Sequence, residues 1–189
     1  MTSALPLVLP AAELLLLRHG IAEPRQEGRA EATRALTAAG RRRCAAVLER
    51  LRQRGLAADR LLSSPLLRAR QTAELAVQAD LAPALELAES LAPGGSPLLQ
   101  LATWLASMPA QPGQRPRLLL VGHEPDLGEL ASALIGAPAG AIALRKSGLA
   151  LLRCGAGALD LEAAPEARRP LASLRLLLTP GLLVAGGGA

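Results

Sequence analysis

Aromatic residues are nearly absent from this chain: they make up 1% of its 189 residues, with one Trp and neither Tyr nor Phe. Stacking of bases on aromatic rings, on which many single-strand nucleic-acid binders depend, is almost excluded. The core must come from Leu, Ala and Val. Hydrophobic residues are 50% of the chain, which excludes disorder, and this length can bury a core without disulfides or metals. Cysteine is scarce: Cys44 and Cys154 stand in no metal-ligand spacing. Cys44 falls on an apolar helical stripe as a core residue, and nothing implies an oxidising compartment. No uninterrupted apolar run reaches the roughly 18 residues of a membrane span. The opening stretch lacks a basic segment and reads as a short ragged tail plus a strand, not a signal peptide. A cytoplasmic protein is expected.

Lysine is missing except for Lys146, so the net charge of +5 is carried almost wholly by arginine. Arginine grips phosphate or carboxylate with two parallel donors, which lysine cannot do. An Arg- and Ala-rich composition also follows from coding bias, so individual arginines are weighed by position.

The pattern alternates strand and helix. Leu14 to Leu17 is a wholly apolar run, as in a buried parallel strand. A polar loop runs from Gly20 to about Arg34. Thr37 then caps a helix to about Arg54, with Cys44, Val47, Leu48 and Leu51 on one face and Gly55 as its stop. Arg60 to Ser63 is a second strand, and Ser64 and Pro65 look like the cap and first position of the next helix. Residues 81–97 read as a Pro- and Gly-rich loop, and Ser96-Pro97 as a further helix start, with Leu98, Leu101, Trp104 and Leu105 as its stripe. A turn is expected at 111–116. Leu118 to Val121 is a third strand, followed by a helix to about Ile135. Leu149 to Arg153 and Leu174 to Leu178 complete the strands. The expected organisation is a loose tail over 1–12, one domain over 13–180 and a loose tail over 181–189. The expected class is α/β, a sheet covered on both faces. Ligands of such sheets bind beyond the carboxyl ends of the strands.

The only two histidines stand at such ends: His19 follows Leu14 to Arg18, and His123 follows Leu118 to Gly122. If those strands are neighbours, both imidazoles reach one crevice; the alternative is a pair of structural histidines. Gly20 permits a tight turn beside a ligand, and Arg18 offers a fork of donors for phosphate oxygens. A neutral imidazole is a good nucleophile toward phosphorus, and covalent attack divides one hard displacement into two easier ones. Fixed cations around the transferring group then supply much of the acceleration. Arg68 is a second candidate, one turn into the helix after Ser64-Pro65; pairing with Glu74 or another carboxylate is its alternative. Arg70 points away from it and reads as surface. His123 is suited to donate to a phosphate oxygen. Neither histidine has a third partner at metal-ligand spacing.

These residues resemble the signature of the histidine phosphatase superfamily, and most closely its small bacterial phosphohistidine phosphatases. The matching segments come in order: Arg18-His19-Gly20-Ile21-Ala22-Glu23, Arg34-Ala35-Leu36-Thr37, Ser63-Ser64-Pro65 with Arg68, Val121-Gly122-His123-Glu124-Pro125-Asp126, and Lys146-Ser147-Gly148. A lone Arg-His-Gly is weak; five ordered segments are specific. The resemblance implies a three-layer α/β/α sandwich with a mostly parallel central sheet. It implies His19 as the phosphorylated nucleophile and Arg18, Arg68, His123 and Arg34 as phosphate ligands, with no metal and no cofactor.

Larger relatives carry a general acid in an inserted segment. Here Glu89 and Glu86 are the nearest candidates, each otherwise a surface carboxylate. A phosphohistidine leaves as protonated imidazole and needs less help than an alkoxide. The leading expectation is hydrolysis of phosphohistidine on a protein, such as a histidine phosphotransfer domain, by a monomer. A broad small-molecule phosphomonoesterase is the runner-up. A non-catalytic phosphate-binding regulatory module is the alternative from another class, and no nucleic-acid or membrane partner is expected.

Overall fold

The structure is a computed structural model and describes residues 7–109, 113–159 and 169–184. Its centre is a six-stranded sheet built from β2 (Ala12–Arg18), β3 (Arg60–Ser63), β4 (Leu85–Leu87), β5 (Arg117–Gly122), β6 (Leu149–Cys154) and β8 (Ala172–Leu178), in the order β4-β3-β5-β2-β6-β8. The four strands from β4 to β2 are mutually parallel, and β6 runs antiparallel to both of its neighbours. This is the α/β sandwich with a mostly parallel sheet.

The unbroken leucine runs follow from burial on both faces. Leu14, Leu16, Leu118 and Leu120 point to one side, where α3 (Pro97–Ala106) and α4 (Asp126–Ile135) supply Leu101, Trp104, Leu127 and Leu130. Leu15, Leu17, Leu119 and Val121 point to the other, against Val47, Leu48 and Leu51 of α1 (Ala38–Gln53) and Ala69, Ala73 and Ala76 of α2 (Leu67–Gln78). The period of two along each strand feeds two cores at once.

Thr37 caps α1: its Oγ1 accepts from the Gly40 amide at 2.9 Å. A side chain at Gly40 would collide with the Ile21 carbonyl oxygen. Glycine there lets the first turn of α1 press against the segment that follows His19.

The structure departs from the sequence expectation in four places. Residues 7–12 are not a loose tail: β1 (Leu7–Leu9) pairs antiparallel with β7 (Gly157–Leu159), and Leu9 and Ala12 are buried. Residues 181–184 belong to α5 (Pro180–Val184), whose Leu183 closes the α1–α2 layer. The segment 81–97 contains β4, which adds one more parallel strand at the sheet edge, and a 3-10 turn over Glu89–Leu91. Helix α2 starts at Leu67 with Leu66 at its cap, and the Ser64 hydroxyl accepts from the Leu66 amide at 3.3 Å. Residues 1–6 and 185–189 of the expected tails, and 111–112 of the expected turn, lie outside the described residues.

Candidate active site

Strands β2 and β5 lie side by side in parallel register, with Leu17 opposite Val121 and Arg18 opposite Gly122. Both chains therefore leave the sheet at the same level. The His19 amide donates to the Gly122 carbonyl at 3.1 Å, and the two imidazoles meet with ring centroids 5.0 Å apart. Helix α2 completes the arrangement. The Gly20 amide donates to Thr72 Oγ1 at 3.0 Å, and that hydroxyl donates to the Arg68 carbonyl at 2.8 Å. Thr72 thus ties the turn after His19 to the helix that carries Arg68.

The hydrogen bonds assign the proton on each ring. His19 Nδ1 lies 2.7 Å from the Gly20 carbonyl, which can only accept, so Nδ1 carries the hydrogen. His19 Nε2 is then a bare lone pair, and it accepts from Arg68 Nε at 3.2 Å. Arg68 Nη2 faces His123 Nδ1 at 3.4 Å, so that nitrogen accepts. His123 Nε2 carries its hydrogen toward Ser64 Oγ, 2.8 Å away. Burial pulls His19 down to about 3, with the charges of His123, Arg68 and Arg18 acting in the same direction against the Gly20 carbonyl. Burial, then Arg68 and Arg18, pulls His123 down to about 4. Both rings are neutral at pH 7.

A cavity of about 290 Å³ opens over these groups, and Arg18, His19, Arg34, Arg68 and His123 all line it. The structure thus brings together the expected nucleophile and the four expected phosphate ligands. Arg34 reaches it from the loop before α1, with Nη1 on the Glu23 carbonyl at 2.7 Å. Arg68 is 4% exposed and pairs with Glu31, not with Glu74, which pairs with the exposed Arg70. Arg18 donates to the Leu144 carbonyl at 2.8 Å, while its buried Nε and that of Arg34 have no partner among the described residues.

Glu31 was not expected. Its carboxylate lies 2.6 Å from Arg34, 3.1 Å from Arg68 and 3.3 Å from Arg25. The Arg34 hydrogen bond, with Arg68 behind it, holds this carboxyl below the usual range. An anion thus already sits among the arginines. The only sequence signal for it was its i,i+3 spacing to Arg34; the contact with Arg68 spans the fold. Ser64, read as a helix cap, accepts from the Leu66 amide and also serves His123.

Neither expected general acid is at the site. Glu86 is bound by Arg60 at 2.7 Å, between β4 and β3, and Glu89 is exposed and does not line the cavity. The segment after β4 reaches the cavity through Pro93 and not through either carboxylate. Among the described residues the carboxyls lining the cavity are Glu31 and Glu124. Burial pushes Glu124 up, and its Oε1 is enclosed without a partner.

With this geometry established, comparison with known proteins is informative. A sequence model of the histidine phosphatase superfamily (branch 1) matches residues 14–92, which include Arg18, His19, Arg34 and Arg68. An uncharacterized protein of a Picosynechococcus species is 44% identical over 145 residues, 76% of this chain and 86% of that protein. The chain belongs to the histidine phosphatase superfamily. The protein histidine phosphatase SixA, solved with tungstate, superposes with a TM-score of 0.69 at 21% identity, over 90% of this chain and 99% of that one. A mycobacterial glucosyl-3-phosphoglycerate phosphatase gives 0.63 at 20% identity, over 89% and 99%. At these identities the two structures share the fold.

Two outcomes follow. Nitrogen-detected NMR at pH 7 should show hydrogen on His19 Nδ1 and His123 Nε2, and both rings should stay neutral down to about pH 4. Unfolded histidines take up protons near 6.5, so stability should fall as pH drops from about 6.5 toward 4, less steeply in His123→Asn. Titration of either ring near 6.5 contradicts the assignment. Separately, Glu31→Gln should bind inorganic phosphate roughly tenfold more tightly by calorimetry, because no internal anion competes for Arg34 and Arg68. Unchanged or weaker binding contradicts that role.

Proposed function

We propose that this histidine phosphatase superfamily enzyme hydrolyses phosphorylated substrates through a phosphohistidine on His19, and that its main substrate is phosphohistidine on a protein. The observation that carries the reading is the bare Nε2 of a neutral, buried His19 held 3.2 Å from Arg68 in a cavity of arginines. In the reaction Nε2 attacks phosphorus while the bond to the leaving group breaks on the opposite side. Water then attacks the phosphorylated His19 and releases inorganic phosphate. The charge on the equatorial oxygens is met by Arg18, Arg68 and Arg34, which need little reorganisation because they are already fixed. Arg68 stops donating to Nε2 when the phosphoryl group arrives, and turns that donor to a phosphate oxygen.

The leaving group is the basis for preferring phosphohistidine. Among the described residues two carboxyls line the cavity; Glu31 is held ionised by Arg34 and has no proton to give, so Glu124 is the one acid left to serve a poor leaving group. An imidazole already protonated on its distal nitrogen departs without a strong acid. A broader phosphomonoesterase is the second reading. It is favoured by the fold shared with a glucosyl-3-phosphoglycerate phosphatase and by the raised Glu124. Among the described residues no helix is long and apolar enough to cross a membrane.

The test is metal-free phosphate release from a phosphohistidine protein and from an aryl phosphate. His19→Ala should lower both by at least about a thousandfold, and Arg68→Gln by roughly a hundredfold or more. Wild type should prefer the phosphohistidine protein. Release that survives His19→Ala would contradict the nucleophile, and preference for alkyl esters would move the substrate to the second reading.

A further inference from the structure

A second cavity, of about 580 Å³, lies on the other side of Arg18. Its charged lining residues are Arg18, Arg43, Arg145 and Lys146, joined by the Thr179 hydroxyl and by Ile21, and among the described residues no carboxylate lines it. Arg18 and Lys146 also line the phosphate cavity, so the two spaces share a wall of cations. Among the described residues Arg43, Arg145 and Lys146 form no ion pair. This contrasts with the phosphate cavity, where Glu31 supplies an internal anion to three arginines.

The basic residues are held at this rim by backbone that also holds His19. The Ser147 amide donates to the carbonyls of both Arg18 and His19 at 3.1 Å, and the Arg18 amide donates to Gly148. Ser147 adopts a φ of 60°, which a non-glycine residue takes up only where its surroundings enforce it. Lys146, the chain's only lysine, is thereby latched to the strand that carries the nucleophile. Arg43 arrives from the other side, one turn beyond Gly40, whose missing side chain lets α1 sit against Ile21. Like charges gathered in a concavity repel one another and focus a positive potential, which an anion relieves.

We propose that this cavity is a second anion subsite, which takes a carboxylate or phosphate that the substrate carries beside the phosphoryl group transferred to His19. The inference rests on His19 receiving the phosphoryl group, and not on the leaving group being imidazole. One chemistry serves two sources of the second anion: an acidic side chain flanking the phosphorylated residue of a protein, or a second acidic group on a small ester. Substrates with no anion beyond the phosphoryl group use the first cavity alone, so the second adds to affinity and to selectivity without taking part in bond breaking.

The test is the double variant Arg43→Gln with Arg145→Gln, since neither residue lines the phosphate cavity. Two matched pairs separate the sources: phosphohistidine peptides with flanking glutamates or glutamines, and phosphoglycolate against ethyl phosphate. In at least one pair the wild-type preference in kcat/KM for the acidic member should fall about tenfold in the variant and lose its salt dependence. Aryl phosphate turnover should stay unchanged, which also verifies folding. Calorimetry of the same ligands on His19→Ala protein, with and without the two substitutions, gives the comparison without turnover. Loss confined to the peptides assigns the anion to a protein, and loss confined to phosphoglycolate assigns it to a small ester. Peptides that are not hydrolysed at all overturn the phosphohistidine reading while the ester pair still tests the subsite. An unchanged preference in both pairs, or an equal fall on every substrate including aryl phosphate, overturns the subsite.

Discussion

The parallel pairing of β2 with β5 is the constraint from which the rest of the site follows. With Arg18 opposite Gly122, each strand ends one residue before its histidine, and the His19 amide closes on the Gly122 carbonyl. Two rings separated by more than a hundred positions in the chain come within 5.0 Å. Because side chains alternate along a strand, a slip of one residue would exchange the two cores and part the histidines. The leucines that lock the register, Leu14 to Leu17 against Leu118 to Val121, thus position the chemistry as well as the core.

Electrostatics set the state of His19. A buried ring among cations is better neutral, and the Gly20 carbonyl decides which nitrogen keeps the hydrogen. Arg68 performs two tasks: it faces the lone pairs of both histidines, and it shares Glu31 with Arg34. The cavity therefore already holds an anion of the chain, the Glu31 carboxylate, between Arg34 and Arg68. On the proposed function, entry of substrate is an exchange of one anion for another, which limits how tightly product phosphate is retained.

Much of this was legible in the sequence because it is written in local pattern. Apolar runs with no alternation marked strands covered on both faces, Thr37 marked a helix start, and histidines immediately after two such runs marked the crevice. What stayed hidden depends on contacts distant in the chain. Strand β1 is three residues long and has meaning only beside β7. Ser64 carries the signal of a cap, and its hydroxyl holds the Leu66 amide, yet its contact with His123 is invisible in local pattern. Glu31 is an ordinary loop carboxylate until the fold places Arg68 beside it. Glu86 and Glu89 lie near the expected position of an acid in sequence, but β4 directs Glu86 to Arg60 and the following turn leaves Glu89 exposed.

The central claim is that His19 Nε2 receives the phosphoryl group. The most direct measurement is a single turnover stopped with alkali, which preserves phosphohistidine, followed by mass spectrometry of the peptide that contains His19 and NMR of the phosphorylated ring. One phosphoryl group on His19, bonded to Nε2 and absent when the same sample is treated with acid, is the predicted result. A phosphoryl group on His123, on Nδ1 of His19, or on neither histidine while phosphate is being released would contradict the account.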